Sequence, residues 1–207
     1  MEERKEMNLT KIIIASENKS KAEELRKISK RFFPNIEVLT PSEIKIKVNY
    51  PEEGLSYEEN AITKAKVAAN ACGLPAVSDD SGIEVEALGG APGALSARYG
   101  ATDSERNSRL LSDLSQITES QKRKARYWCS AAIAFPNEEV ITASGEWCGR
   151  IIFEPKGKNG FGFDPIFFDE ELGKTAAELS EEEKSIRSHR GKALNALFED
   201  VSRLSRS

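Results

Sequence analysis

Lys11-Ile12-Ile13-Ile14-Ala15-Ser16 is a short apolar run rich in isoleucine, the pattern of a buried strand. A polar stretch follows, and Ser20-Lys21-Ala22-Glu23 has the spacing of a capping box, with Ser20 as N-cap and Glu23 reaching back. Leu25, Ile28 and Phe32 extend a helical stripe that stops before Pro34. Ile36-Glu37-Val38-Leu39 predicts a second strand. From Tyr57 to Cys72 the positions Ile62, Ala65, Ala69 and Cys72 repeat at spacings of 3, 4 and 3, and Gly73 supplies a C-cap signal. Pro75-Ala76-Val77-Ser78 predicts a strand ending at Asp79-Asp80-Ser81-Gly82, where Gly82 permits a tight turn, and strand character resumes over Ile83–Leu88. Residues 103–117 suit a surface helix with Leu110, Leu111 and Leu114 turned inward. Arg126–Phe135 and Glu139–Gly149 read as strands of an antiparallel hairpin about Pro136-Asn137-Glu138. Ser188 can cap a last helix striped by Leu194, Leu197, Val201 and Leu204. Strands and helices alternate, so the expected fold is α/β, a mixed sheet flanked by helices. A charged lead-in at 1–10 precedes a single domain over 11–207.

Composition narrows the function classes. An apolar fraction of 39% in 207 residues is enough for a sizeable core. Thirty basic and 34 acidic residues leave a net charge of −4, and no basic block exceeds Gln121-Lys122-Arg123-Lys124, so no nucleic-acid footprint is expected. No apolar run approaches the roughly 18 residues of a membrane span, so no membrane partner is expected. Cys72, Cys129 and Cys148 are odd in number and far apart, which speaks for a reducing compartment, by default the cytoplasm.

Five segments carry candidate chemistry. Ser16-Glu17-Asn18-Lys19-Ser20-Lys21 joins the first strand to the first helix, where free N–H groups and the helix dipole attract phosphate; an ordinary capped helix with solvated lysines fits the same residues. Two readings also fit Asp79-Asp80-Ser81-Gly82: a solvated turn, or a carboxylate pair linked to Mg²⁺. Asn60 and Lys64 share one polar helix face opposite the Ala/Ile/Cys stripe. Gly160-Phe161-Gly162-Phe163-Asp164-Pro165 offers rings that could stack on a nucleobase or, equally, core aromatics flanking a turn. His189, the one histidine, lies beside Arg190, and with Lys184 they provide several hydrogen-bond donors.

Taken in order, these segments resemble the inosine triphosphate pyrophosphatase family, from about Lys11 to Leu197. The likeness rests on Ser16-x-Asn18-x-x-Lys21, Glu59-Asn60-Ala61 with Lys64-Ala65, and Ser78-Asp79-Asp80-Ser81-Gly82-Ile83. It continues through Gly90-Ala91-Pro92-Gly93 with Ser96-Ala97-Arg98-Tyr99, Gly160–Phe167, Ala177-Glu178-Leu179, Lys184 and Ser188-His189-Arg190-Gly191. The resemblance implies an elongated, two-lobed mixed sheet with an active-site cleft between the lobes, usually dimeric. It implies hydrolysis of non-canonical purine nucleoside triphosphates (ITP, dITP, XTP) to the monophosphate and pyrophosphate. By position, Asp80 is the implied general base, and Asp80 with Glu52 the implied Mg²⁺ ligands. The segment Ser16–Lys21 (Ser16, Glu17, Asn18, Lys19, Ser20, Lys21) with Lys64 and Ser81 is implied to bind the phosphates. Phe161, Gly162, Phe163, Asp164, Lys184, His189 and Arg190 are implied to form the base pocket. Two departures stand out: Ser16-Glu17 replaces the family's frequent Thr-Gly, and Glu52-Glu53-Gly54 replaces Glu-Glu-Thr-Gly. An apolar patch involving Trp128, Trp147 or Phe153 is the expected place for a homodimer contact.

Overall fold

A computed structural model describes residues 9–51 and 56–204. The charged lead-in up to Asn8 and the Glu52-Glu53-Gly54 segment lie outside the described residues. The elements are β1 (Lys11–Ile14), α1 (Lys19–Phe32), β2 (Glu37–Leu39), α2 (Tyr57–Cys72), β3 (Ala76–Val85), β4 (Pro92–Gly93), α3 (Asp103–Asp113), β5 (Lys124–Ala134), β6 (Val140–Ile151), β7 (Phe167–Asp169), β8 (Lys174–Thr175), α4 (Glu181–Arg187) and α5 (His189–Leu204). The fold is α/β, with strands hydrogen-bonded in the order β2-β1-β3-β5-β6-β7-β8 and β4 on β3. Parallel and antiparallel pairings both occur.

The chain divides into two units, the first made of residues up to Asp80, Ser130–Ser144 and the chain from Arg190, the second of Ser81–Cys129 and Gly145–His189. In the first unit, β1 runs parallel to β2 and to β3, pairing Ile12 with Val38 and Ile14 with Val77. Ile12, Ile13 and Ile14 are buried, as an isoleucine run flanked by strands on both sides requires. α2 presents Ala61, Ala65, Ala68 and Ala69 to Ile13, Ala76, Ala132 and Ala134, and these small side chains make a close helix-on-strand layer. Ser56 caps α2, and Gly73 ends it with φ +65°, a conformation that favours glycine. α1 and α5 meet through Phe32 and Phe33 against Phe198, at centroid distances of 6.2 and 6.3 Å.

The second unit has its own core of Ile83, Val85, Leu110, Leu114, Tyr127, Trp147, Phe163, Ile166 and Phe167. β7 pairs antiparallel with β6 and with β8. Trp147 donates to Asp169 at 2.7 Å, and Arg187 at the end of α4 binds the same carboxylate at 2.7 and 3.2 Å.

Five local expectations change. The cap of α1 is Asn18, which accepts the Lys21 N–H at 3.2 Å, so the helix starts before Ser20 and Glu23 has no capping-box role. The Asp79–Gly82 tetrad is no turn: β3 runs straight through it, because the two carboxylates find partners on opposite faces of the strand. α3 stops at Asp113 rather than 117, and Ser115 and Ile117 close tighter turns beyond it. Leu204 is exposed, and Phe198 holds the core position instead. Trp147, at 1% exposure, is a core residue and offers no surface for a dimer contact.

Candidate functional site

Alternation along β3 sends Asp79 and Asp80 to opposite faces, Asp79 toward α1 and α5 and Asp80 toward α2. Asp79 Oδ2 accepts from Lys21 Nζ at 2.6 Å, and Arg190 Nε forms an ion pair with Oδ1 at 3.1 Å. Arg190 also pairs with Glu24, and it donates to the Lys21 carbonyl at 3.2 Å. The Asp79 side chain is only 4% exposed. Burial alone would raise its carboxyl, but Arg190 and Lys21 overcome that and hold it well below the usual carboxylate range.

Asp80 faces α2. Asn60 Nδ2 donates to its Oδ2 at 3.0 Å and Lys64 Nζ to its Oδ1 at 2.8 Å. Asn60 and Lys64 are four apart, so one helix face delivers an amide and an ammonium to the same carboxylate. The Ala/Ile stripe on the other face of α2 is what fixes that orientation.

The β1–α1 loop is organised by its own side chains. Ser16 Oγ accepts the Asn18 N–H at 3.1 Å, and Ser42 Oγ donates to Glu17 at 2.7 Å. Glu17, Lys19 and Ser20 are exposed. Ser81, the next residue of β3, begins the second unit.

A second cluster lies in the second unit. Asp164, 4% exposed, receives the Phe161 N–H at 2.7 Å and pairs with Lys184. The Lys184 ammonium also stands 4.6 Å from the Phe161 ring centroid. Burial raises the Asp164 carboxyl, and Lys184 with the Phe161 N–H only partly offsets it. Gly160 adopts φ +78°, and a Cβ there would run into the Asp164 carboxylate. Phe161 is 53% exposed, whereas Phe163, at 3%, belongs to the core. The His189 ring stacks on Tyr127 at 4.5 Å, with 5° between the planes.

Lys21 and Lys64 therefore stand with Asp79 and Asp80, while Phe161, Asp164 and Lys184 form a second group in which His189 is braced by Tyr127. Arg190 is not in that second group: its guanidinium is committed to Asp79 and Glu24. Glu52 lies outside the described residues. Sequence reading missed Glu24, whose signal was its place one helical turn after Lys21, and Tyr127, whose position in a strand gave none. A divalent ion built in by protein alone needs several carboxylate, histidine or cysteine ligands, and no group of three or more is so placed among the described residues. Asp80 nevertheless fits Mg²⁺, a hard cation that takes one or two carboxylates and completes its shell with substrate oxygens and water.

The Ham1 family model matches residues 12–200. The chain is 40% identical over 197 residues to the dITP/XTP pyrophosphatase of Streptococcus pneumoniae serotype 4, covering 91% of this chain and 94% of that one. It is 42% identical to the dITP/XTP pyrophosphatase of Shigella flexneri, covering 92% and 98%. Longer relatives of the same name, as in Streptococcus thermophilus, are matched over 58% of their length. Among solved structures, a HAM1 protein from Coxiella burnetii superimposes with a TM-score of 0.82 at 39% identity, covering 94% of this chain and 100% of that one. The Staphylococcus aureus Ham1 protein gives 0.79 at 38% identity, covering 92% and 97%.

Proposed function

Because the chain belongs to the Ham1 family, we propose that it hydrolyses non-canonical purine nucleoside triphosphates, ITP, dITP and XTP, to the monophosphate and pyrophosphate. The observation that carries the chemistry is Asp80, held by Asn60 and Lys64 one strand position from the Lys21–Asp79 pair.

A triphosphate carries about four negative charges near neutral pH, which repel an attacking oxygen until they are offset. Lys21 and Lys64 supply ammonium groups for that purpose, and Ser16, Asn18 and Ser81 supply hydrogen bonds. Asp80 accepts the proton of the attacking water. The new bond joins that oxygen to the α-phosphorus, the α–β bridging bond breaks, and pyrophosphate leaves with the bridging oxygen. Mg²⁺, held by Asp80 and Glu52, would supply charge neutralisation at the phosphates.

In the second cluster, the Phe161 ring offers a stacking face, and Lys184 and His189 offer donors. Hypoxanthine and xanthine present an acceptor oxygen at position six, whereas adenine presents an amino donor, so a donor-lined site leaves adenine's amino group unpaired. Arg190 has a different part in this reading: it keeps Asp79 charged and Lys21 in place. Cytoplasmic residence is part of the proposal, supported by an odd number of widely spaced cysteines. A homodimer is part of the proposal, with half-exposed Phe153 and part-exposed Trp128 the remaining apolar candidates for the contact.

Pyrophosphate release should be measured from a panel of purine and pyrimidine triphosphates, with and without chelator. Inosine and xanthosine triphosphates should be turned over well ahead of ATP, and chelator should stop the reaction. Asp80→Asn should fold and lose at least ~100-fold in kcat. Equal kcat/KM for ITP and ATP would overturn the substrate reading, and near-normal turnover by folded Asp80→Asn would remove Asp80 as base.

A further inference from the structure

Gly162 is gripped by α3 through both polar groups of its backbone. Its N–H donates to Asp103 Oδ2 at 2.8 Å, and its carbonyl accepts from Asn107 Nδ2 at 3.0 Å. Asp103 and Asn107 are four apart, hence on one face of α3. Both are themselves fixed: Asp103 Oδ1 takes Arg106 at 2.6 Å, and Asn107 is only 7% exposed. The rest of the segment is tied to Asp164, through the Phe161 N–H and carbonyl. Gly160 and Gly162 both have positive φ; a Gly160 Cβ would meet Asp164 and Lys184, whereas no atom lies within 4 Å of where a Gly162 Cβ would stand, so that side of Gly162 has no packing neighbour. On one side of it Phe163 is anchored in the core. On the other Phe161 is half exposed, its N–H donating to the Asp164 carboxylate, its carbonyl accepting the Asp164 N–H and its ring beneath Lys184.

We propose that Asp103 and Asn107 are positioning residues for discrimination among nucleobases. They touch no substrate atom; they fix the Gly162 peptide, and through it the Phe161 ring and the Asp164–Lys184 pair. This rests on the reading of the second cluster as the base site. Two glycines around an exposed ring give that ring many orientations, and a donor set can reject adenine only if its geometry is held. The two side-chain bonds from α3 restrain the Gly162 peptide itself, where the Cβ position has no packing neighbour.

The test is Asn107→Ala, assayed with ITP and ATP and for inhibition by inorganic pyrophosphate, which has no base. KM for ITP should rise about tenfold with kcat within about twofold, the preference for ITP over ATP should fall by a similar factor, and pyrophosphate inhibition should be unchanged. Asp103→Ala should do the same, whereas Asp103→Asn, which keeps an oxygen for the Gly162 N–H, should remain within about threefold of the parent enzyme. The partly exposed Asp103 pair gives the same reading should Asn107→Ala fail to fold. An unchanged ITP/ATP ratio in folded variants, or equal losses for ITP, ATP and pyrophosphate, would overturn the positioning role. A parent enzyme without preference for ITP would instead overturn the base-site reading, and this role with it.

Discussion

Asp79 in the first unit and Asp164 in the second are alike on paper: each is 4% exposed and each sits beside a lysine. Their carboxyls nevertheless move in opposite directions. Burial pushes both up, but Asp79 has a second cation, Arg190, and ends well below the ordinary carboxylate range. Asp164 has one cation, Lys184, with the Phe161 N–H and the Tyr127 hydroxyl as neutral donors, and stays raised from its ordinary value. One guanidinium decides the sign. A buried carboxylate is firmly ionised only when attraction exceeds desolvation, and a single ammonium does not guarantee that. The first unit therefore carries a fixed charge array around Asp79. The second carries a carboxylate with less margin, suited to tuning a lysine beside an aromatic face.

The largest effect that could break this comparison is at Asp79. Asp79→Asn leaves Lys21 and Arg190 facing a neutral amide, with Glu24 as the remaining counter-charge for Arg190. Stripping one partner from a buried ion network should cost about 3 kcal/mol, roughly 10 °C in Tm for a chain of this size. Thermal unfolding at pH 7 checks it. A loss no greater than that of Asp164→Asn would mean the second cation adds nothing.

Asp164→Asn should be milder, about 1 kcal/mol at pH 7, because the charge it removes is already poorly compensated. The pH dependence sharpens the contrast. Asp79 is depressed when folded, so its contribution is complete above the ordinary value of 3.8 and is lost as pH falls through the folded value. Asp164 is raised when folded, so the native state binds the proton first, and the native protein gains stability as pH falls through the raised value toward 3.8. The Tm advantage of the parent chain over Asp79→Asn should thus shrink in acid below about pH 4, while its margin relative to Asp164→Asn shifts in its favour between neutrality and pH 4. Parallel curves for the two variants would remove the distinction.

How much of this was legible in the sequence depends on whether a feature is local. The isoleucine run of β1, the alanine face of α2 and its Gly73 cap were readable because periodicity encodes them directly. The Asn60–Lys64 spacing announced a shared polar face before any partner was known. The tetrad at Asp79 misled because Asp, Ser and Gly favour turns when considered alone. Cations arriving from α1, α2 and α5, between 16 and 111 residues away along the chain, keep it a strand. Arg190 misled in the same way: its neighbour His189 joins the second cluster, while its own guanidinium turns to Asp79. Asp103 and Asn107 gave no signal, since an Asp and an Asn near a helix start ordinarily serve the helix itself.

The smallest effect concerns the loop that leads into the first charge array. Ser20 had the spacing of a cap, yet Asn18 accepts the Lys21 N–H at 3.2 Å while Ser20 is exposed within the first turn. Asn18→Ala should therefore cost about 1 kcal/mol and Ser20→Ala less than about 0.5 kcal/mol, read as the difference in urea midpoint at constant slope. The cap also sets the backbone from which Lys21 reaches Asp79, so Asn18→Ala should raise KM for the triphosphate while Ser20→Ala leaves it alone. Nothing equivalent should follow in the second unit, whose lysine comes from α4 under its own Ser180–Glu183 capping box. Equal costs for the two substitutions would return the cap to Ser20. They would also detach the geometry of Lys21 from the residue that now starts its helix.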